Sequence, residues 1–343
     1  MVNLKTVQTH NASLKTLAPG LVAVFVGGTS GIGLSTAREF VRNTRSPHVY
    51  LIGRNEAEAN KLISELGILN PESQTTFIKS DISLLKNVDK ACQEISAKEK
   101  KVNLLFMTAG YFTFNGRQET SEGLDQKFSL HYYARARFIK NLLPLLDTAA
   151  NNRDENANLS RVVSVLDPHA SVRALGAGAL NYSDLSLKNS FSLKNCAAHA
   201  SAMNNFYMEK LAKSHPGTSF IHAYPSAVKT GVARGLDPIS SKVWVALTSL
   251  MKPFMVDLGE SGERHLYAST AKVFAAMKET ADYAAVGSDG TKGSGSYWLN
   301  WDDDVLPFSK KLAKLREEGA GEKIVQHTEE VFKKVCEEKQ TYP

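Results

Sequence analysis

A continuous apolar run followed by a glycine-rich turn limits the fold of this chain more than any other feature. Residues 21–26 read Leu-Val-Ala-Val-Phe-Val, the pattern of a parallel strand buried on both faces. Glycines follow, and a helical spacing of apolar residues begins at Leu34. This order forms a cradle for a dinucleotide pyrophosphate, because glycines let backbone amides approach the phosphates at a helix N-terminus. The predicted phosphate-binding residues are Gly27, Thr29, Ser30, Gly31, Ile32 and Gly33.

Strand and helix patterns alternate along the rest of the chain. The other predicted strands are 48–55, 75–80, 102–110, 160–166, 217–224 and 294–301, and a long helix is predicted over 122–146. This order predicts an α/β fold of Rossmann type, a doubly wound parallel sheet flanked by helices on both faces. We expect a single domain over 21–343, preceded by an N-terminal extension (1–20) and closed by a helical tail (302–343).

Charge and cysteine content narrow the possible functions. Lys and Arg number 41 against 35 Asp and Glu, a net charge of +6 that is spread along the chain. This favours a solvated surface over a nucleic-acid groove. Cys92, Cys196 and Cys336 are odd in number and lack metal-ligand spacing, which indicates reduced thiols and no metal site. No run resembles a signal peptide or a transmembrane helix, so a cytoplasmic location is expected.

The end of the second predicted strand bears on the choice of cofactor. It lies about 20 residues after the glycine turn, where dinucleotide-binding folds contact the adenosine ribose. An acidic residue there would bind the ribose 2′-hydroxyl and select NAD. The chain has Arg54 followed by Asn55, and a guanidinium suits a 2′-phosphate through charge-assisted hydrogen bonds. The sequence therefore predicts NADP(H), and a surface arginine in a loop is the alternative for Arg54.

The glycine spacing Gly27-x-x-x-Gly31-x-Gly33 resembles that of the short-chain dehydrogenase/reductase (SDR) superfamily. The run Glu122-Gly-Leu-Asp resembles the retinol-dehydrogenase-like branch, which has Asp-Gly-Leu-Glu followed by Phe-x-x-Asn. The C-terminal tail is similar to that of fungal SDR-like proteins. The resemblance covers about residues 20–300. It implies an oxidoreductase with a nicotinamide cofactor across the carboxyl ends of the strands.

The resemblance also implies cofactor contacts beyond the glycine turn. Asp81 would contact the adenine with Ile82 packed beside it, whereas an N-cap of the next helix is the alternative for Asp81 or Ser83. The backbone after the fourth strand would pass close to the cofactor, and the segment after the sixth would surround the nicotinamide carboxamide. The implied residues are Asp81, Ile82, Thr108, Ala109, Gly110, Pro225, Val228 and Thr230.

The proton-transfer residues depart from the family pattern. Family members use an Asn that helps hold a relay water, a Ser that binds the substrate carbonyl, and a Tyr-x-x-x-Lys pair on one helix face. No tyrosine in this chain is followed four residues later by lysine. Alignment places His131 at the Asn, Asp167 at the Ser with Ser164 three residues earlier, and His199 and Met203 at the Tyr and Lys. The candidate catalytic residues are Asp167, His199, His131 and Ser164.

An apolar segment within 231–257 occupies the position of the variable substrate lid of the family. Its apolar residues are Val243, Trp244, Ala246, Leu247, Leu250, Met251, Phe254 and Met255. The lid indicates a hydrophobic substrate. Because Lys242 and Lys252 flank the segment, an amphipathic helix on a membrane surface over 240–256 is the alternative.

Three functions remain open on these grounds. The first is an NADP(H)-dependent reductase of a hydrophobic carbonyl or iminium compound in secondary metabolism, with His199 as acid or Asp167 stabilising a cationic substrate. The second is a non-redox isomerase, dehydratase or cyclase that uses Asp167, His131 and His199. The third is a catalytically inactive protein that senses NADP(H) or binds a partner. A homodimer is compatible with all three.

Overall fold

A seven-stranded parallel sheet forms the centre of the molecule. The computed structural model describes residues 1–170, 180–231, 245, 255–279 and 282–343. The order of the strands is β3-β2-β1-β4-β5-β6-β7, and every neighbouring pair is parallel. The strands are β1 (Val22–Val26), β2 (His48–Gly53), β3 (Gln74–Lys79), β4 (Leu104–Met107), β5 (Arg161–Val165), β6 (Ser219–Ala223) and β7 (Ser296–Leu299). Each lies within or one residue from a predicted strand, so the predicted fold class is confirmed.

Helices cover both faces of the sheet. The helices are α1 (Leu4–Ser13), α2 (Gly31–Asn43), α3 (Glu56–Leu69), α4 (Leu85–Lys98), α5 (Gln126–Phe128), α6 (Ala134–Ala150), α7 (Leu193–Ser214), α8 (Leu258–Thr270), α9 (Lys310–Glu317) and α10 (Ala320–Phe332). Side chains alternate between the faces along β1: Phe25 packs with α2, α3 and α8, whereas Val24 packs with α4, α6 and α7. Both faces are therefore apolar and buried, which explains the unbroken apolar run in the sequence.

The strand order reverses between β1 and β4, because β2 and β3 extend to one side of β1 and β4 to β7 to the other. In a doubly wound sheet, ligands bind at the carboxyl ends of the strands where this reversal opens a crevice. The glycine turn after β1 and the Ala109-Gly110 pair after β4 lie at this reversal. The topology thus brings two of the predicted cofactor segments together.

Helix α4 begins differently from the sequence expectation. Its N-cap is Leu84, which offers no capping side chain, so neither Asp81 nor Ser83 is the N-cap. The carboxylate of Glu122 accepts hydrogen bonds from the amides of Leu85 (2.6 Å) and Lys86 (3.0 Å). The helix predicted over 122–146 therefore does not begin at Glu122. Glu122 lies in the loop before it, and the helical segment begins at Gln126. A buried acid from a distant loop satisfies the orphan amides and the helix dipole.

We expect Glu122→Ala to lower the free energy of unfolding by about 1–2 kcal/mol, the usual cost of losing a helix cap. Glu94→Ala is the control, since Glu94 forms an exposed pair with Lys98 four residues on and should cost less than about 0.5 kcal/mol. Urea unfolding of the two variants measures the difference. Equal losses would mean that the Glu122 carboxylate does not stabilise α4.

Both chain ends pack against the central domain. In the N-terminal extension, α1 packs on α8, where Asn11 Nδ2 donates to the Glu263 backbone carbonyl at 2.9 Å. In the C-terminal tail, Thr328 and His327 of α10 hydrogen-bond the hydroxyls of Tyr132 (2.5 Å) and Tyr133 (2.8 Å). The tail therefore covers the outer side of the sheet face formed by α6 and α7. Within the described part of the chain, no helix combines the length and apolar character that crossing a membrane requires.

Candidate cofactor and active site

A cleft of about 910 Å³ runs across the carboxyl ends of the strands. Residues that follow six of the strands line it, from Gly27 after β1 to Tyr224 after β6. Most predicted cofactor residues are brought together here. Those that line the cleft are Gly27, Thr29, Ser30, Gly31, Ile32, Arg54, Asp81, Ile82, Thr108, Ala109, Gly110, Pro225, Val228 and Thr230. Gly33 and Asn55 do not line it.

The glycine turn fits a pyrophosphate by its shape. Gly27 has a φ of +87°, and a Cβ there would lie 2.8 Å from the amide nitrogen of Ala109. Gly33 lies behind the turn, where a Cβ would lie 2.5 Å from the carbonyl oxygen of Gly27, so it allows α2 to pack against the turn. Ser30 is the N-cap of α2, but its side chain makes no capping hydrogen bond. The first amides of α2 therefore face the cleft without a side-chain cap, which suits an anionic ligand.

The adenosine end of the cleft is formed after β2 and β3. Arg54 is exposed, and among the described residues no carboxylate lies within ion-pair distance of its guanidinium. Asn55 instead caps α3 by accepting a hydrogen bond from the Glu58 amide at 3.2 Å. Asp81 lines the cleft, and its Oδ1 accepts hydrogen bonds from the backbone amide (3.1 Å) and hydroxyl (2.8 Å) of Ser83. Of these residues, Arg54 is the one whose charge is available to a ligand.

The segment after β6 forms another part of the cleft, next to the glycine turn. Pro225, Val228 and Thr230 line it, and the Cγ2 of Thr230 lies 3.1 Å from where a Cβ of Gly31 would be. Ser226 has a φ of +60°, a left-handed conformation that costs a residue with a side chain roughly 1–2 kcal/mol. The local backbone conformation is thus held at some energetic cost next to the predicted nicotinamide site.

Helix α7 places the two residues selected by the alignment away from the cleft lining. The α7 residues that line the cleft are Leu193 and Ala197, which are four apart and so share one helix face. His199 and Met203, aligned with Tyr and Lys from the sequence, are only 2% and 0% exposed and do not line the cleft. His199 Nε2 accepts a hydrogen bond from the Asn181 amide at 3.3 Å, and burial lowers its pKa. The face of α7 that lines the cleft is therefore apolar, and His199 is not placed to act as an acid there.

Ser164 lies beneath the cleft and holds a buried cation. It is fully buried in β5, and its hydroxyl accepts a hydrogen bond from Arg135 Nη1 at 2.7 Å. Arg135 also donates to the carbonyl oxygens of Val165 (2.9 Å) and Ala109 (3.0 Å). These partners are all neutral, and burial lowers the pKa of Arg135 to about 9. Sequence reasoning missed Arg135, whose positive charge lies at the floor of the cleft.

Two of the candidate catalytic residues, His131 and Asp167, line the cleft. His131 lies in a π-helical segment (Ser129–Tyr133) between α5 and α6, a geometry that is common at functional sites. Its Nε2 lies 2.7 Å from where a Cβ of Gly110 would be, so a side chain at position 110 would require the imidazole ring to move. Burial, followed by the charges of Arg135 and Lys127, lowers the pKa of His131 to about 3. The ring is therefore neutral at physiological pH and is not a cationic acid.

Asp167 follows β5 by two residues, and its Oδ1 accepts a hydrogen bond from the His169 amide at 2.9 Å. It supplies a carboxylate where the family has a hydroxyl. Apolar side chains also line the cleft, and the following ones are called its apolar wall: Phe112, Leu130, Leu193, Ala197, Val245 and Met255. The hydrophobic substrate expected from the sequence stays a prediction.

Lys127 is a cleft residue that sequence reasoning missed. It lies on α5, four residues before His131, and it is only 8% exposed. Its spacing from His131 was the available signal, because residues four apart share a helix face. Most of the predicted lid lies outside the described residues, including Lys242, Lys252 and each of the apolar residues named for it except Met255.

Comparison with known proteins agrees with this architecture. A family model described as "short chain dehydrogenase" matches residues 21–153. An oxidoreductase of Emericella nidulans is 45% identical, with 97% of this chain and 98% of the relative aligned. Retinol dehydrogenase 12 of Mus musculus is 26% identical over 74% of each chain. The fold is similar to an NADPH-bound carbonyl reductase from chicken fatty liver (TM-score 0.55, 18% identity, 85% of this chain and 100% of that one). The chain belongs to the short-chain dehydrogenase/reductase superfamily of oxidoreductases.

Proposed function

We propose that this protein is an NADP(H)-dependent reductase of a hydrophobic carbonyl or iminium compound. The observation that carries the proposal is a cleft of about 910 Å³ that is lined by the phosphate cradle, by Arg54 and by the apolar wall. A role in secondary metabolism is compatible with the similarity to fungal oxidoreductases, such as the Emericella nidulans relative.

The preference for the phosphorylated cofactor rests on Arg54. Its guanidinium lies at the end of β2 and lacks a carboxylate partner among the described residues. A 2′-phosphate would provide the paired charge that Arg54 otherwise lacks. The carbonyl reductase of similar fold is NADPH-bound, which supports the same cofactor here.

When bound, the cofactor would supply a hydride to the substrate, the part of the chemistry that needs no protein acid. The chain would position the two reactants: the uncapped amides of α2 hold the phosphates, and the segment from Pro225 to Thr230 holds the nicotinamide end. The apolar wall would bind the body of the substrate and exclude water. Asp167 would favour the binding of a substrate that already carries a positive charge, such as an iminium ion.

The test is titration of the protein with NADPH and NADH by calorimetry, followed by incubation with NADPH and apolar carbonyl and iminium probes. We expect tighter binding of NADPH than of NADH, and loss of NADPH absorbance that depends on a probe. Absence of heat with both cofactors would contradict the proposal.

A second candidate function is a non-redox isomerisation, dehydration or cyclisation on the same scaffold. It is favoured by one observation: Asp167 and His131 line the cleft, whereas α7 presents Leu193 and Ala197 to it. In that case turnover would leave the NADP(H) absorbance unchanged. The Asp167→Asn variant would abolish turnover.

For the reductase, we expect Asp167→Asn to lower kcat/KM for a cyclic iminium probe at least tenfold more than for a ketone probe. The reason is that only the carboxylate offsets the positive charge of the iminium, a difference of about 1.4 kcal/mol for each factor of ten. Steady-state kinetics with the two probes measures it. An equal loss with both probes would show that the charge of Asp167 does not act on the substrate.

A further inference from the structure

An almost buried lysine, Lys127, lines the cleft. Its ammonium nitrogen lies 5.4 Å from the centroid of the Phe112 ring. Lys127 and His131 are one helical turn apart, and His131 lies against Gly110 after β4. The lysine therefore stands beside the segment where the cofactor is predicted to pass.

The surroundings of Lys127 leave its charge without a carboxylate partner. Among the described residues, no carboxylate oxygen lies within 4.0 Å of its nitrogen. Asp125 is the nearby acid on the same helix, but its two oxygens accept hydrogen bonds from the amides of Phe128 and Gln118, both at 2.8 Å. Cys196 approaches from α7, and burial raises its pKa to about 12, so it is a neutral thiol. The charge of Lys127 can therefore pair with a ligand that binds in the cleft.

We propose that Lys127 donates the proton to the substrate oxygen when a carbonyl compound is reduced, an inference that rests on the proposed function. A hydride from the reduced nicotinamide forms the new C–H bond, and the electron pair of the C=O π bond moves to oxygen. That oxygen takes a proton from Lys127 Nζ, so an O–H bond forms and an N–H bond breaks. The products are the alcohol, the oxidised nicotinamide and a neutral amine, which regains a proton from water.

The acidity of Lys127 supports this role. Burial lowers its pKa from the ordinary 10.5, against the smaller opposing effects of Cys196 and Asp125. A general acid works best when its pKa approaches the working pH. His131 is neutral, and α7 presents only Leu193 and Ala197 to the cleft. Two lysines line the cleft among the described residues, and they differ in burial: Lys127 is 8% exposed, whereas Lys229 is exposed. Lys127 is therefore the buried lysine of the cleft, and unlike an arginine it can release a proton at neutral pH.

The first experiment compares Lys127→Met, Lys127→Arg and the control Lys98→Met, which changes an exposed lysine on α4. The probes are cinnamaldehyde and 9,10-phenanthrenequinone with NADPH. We expect Lys127→Met to lower kcat about 100-fold or more, the usual contribution of a general acid. Lys127→Arg keeps the charge but releases no proton at neutral pH, so kcat should fall at least tenfold and the decline of kcat at high pH should disappear. NADPH affinity by calorimetry should change less than twofold in every variant.

The second experiment needs no turnover. Reductive methylation with formaldehyde and cyanoborohydride is followed by peptide mass spectrometry from pH 6 to 10. The labelling rate of Lys127 should reach half its maximum at a lower pH than that of Lys98, because the labelled form is the neutral amine. An equal or higher midpoint would overturn the proposal.

The remaining outcomes are also decisive. Full kcat with an unchanged pH profile in Lys127→Arg would show that Lys127 contributes only its charge. Full kcat in Lys127→Met would show that Lys127 has no role in catalysis. If NADPH binds to the wild type but no probe consumes it, the proposed reductase function fails and the donor role fails with it. The labelling midpoint still reports on Lys127 alone.

Discussion

Replacing Arg54 by glutamine is expected to weaken NADPH binding about 10- to 100-fold while changing NADH affinity less than twofold. Hydrogen bonds to charged groups contribute about 1.5–3 kcal/mol, and those of Arg54 would be made only to the 2′-phosphate. Arg54→Asp should go further and reverse the preference, because an acid at the end of β2 binds the ribose 2′-hydroxyl and repels the phosphate. Calorimetric titration with both cofactors measures the ratio.

Arg153→Gln is the matched control for this experiment. Arg153 is also exposed, but it lies in the loop between α6 and β5 and does not line the cleft. Its replacement should leave both affinities unchanged. If Arg54→Gln weakened the binding of NADPH and NADH equally, Arg54 would contact a chemical group that both cofactors contain. The proposed preference for NADP(H) would then lose its physical basis.

The second large effect is expected from Gly33→Ala, which should lower the free energy of unfolding by about 2–3 kcal/mol, as overpacking does. A Cβ at Gly33 would lie 2.5 Å from the Gly27 carbonyl oxygen and 2.7 Å from Thr108 Oγ1. The start of α2 would have to move away from the glycine turn. We therefore also expect NADPH affinity to fall at least tenfold, because the amides of α2 would no longer face the phosphates.

Gly67→Ala is the control with the opposite expected sign. Gly67 lies in α3, and a Cβ there would meet no atom within 4 Å. Alanine should stabilise the protein by about 0.5–1 kcal/mol, because it loses less backbone freedom in a helix. Urea unfolding of both variants gives the comparison. A Gly33→Ala protein as stable as the wild type, with normal NADPH binding, would contradict the close packing of α2 on the turn.

The strands could be predicted because burial on both faces leaves a strong local signal. β1 packs Phe25 on one face of the sheet and Val24 on the other, so every position must be apolar. The start of α4 left no such signal. Its amides bind Glu122, 37 residues away from Leu85 along the chain, and only the folded loop brings the two together.

The catalytic end of the cleft was harder to predict for a related reason. Without a Tyr-x-x-x-Lys pair, nothing in the sequence fixes the rotation of α7, and the alignment chose His199 where the helix presents Leu193 and Ala197. Lys127 resembles any solvent-exposed lysine in the sequence. Its importance comes from burial against Phe112, which depends on contacts between distant segments.

The C-terminal tail covers an apolar surface of the same molecule. Three large buried aromatic residues, Tyr132, Tyr133 and Phe206, would form an exposed apolar patch if the tail were removed. Thr328 and His327 bind the hydroxyls of the two tyrosines, while Arg316 lies over the Phe206 ring. In many proteins such an apolar patch is covered by a second subunit. Here the tail of the same chain covers it, so the cover does not depend on protein concentration.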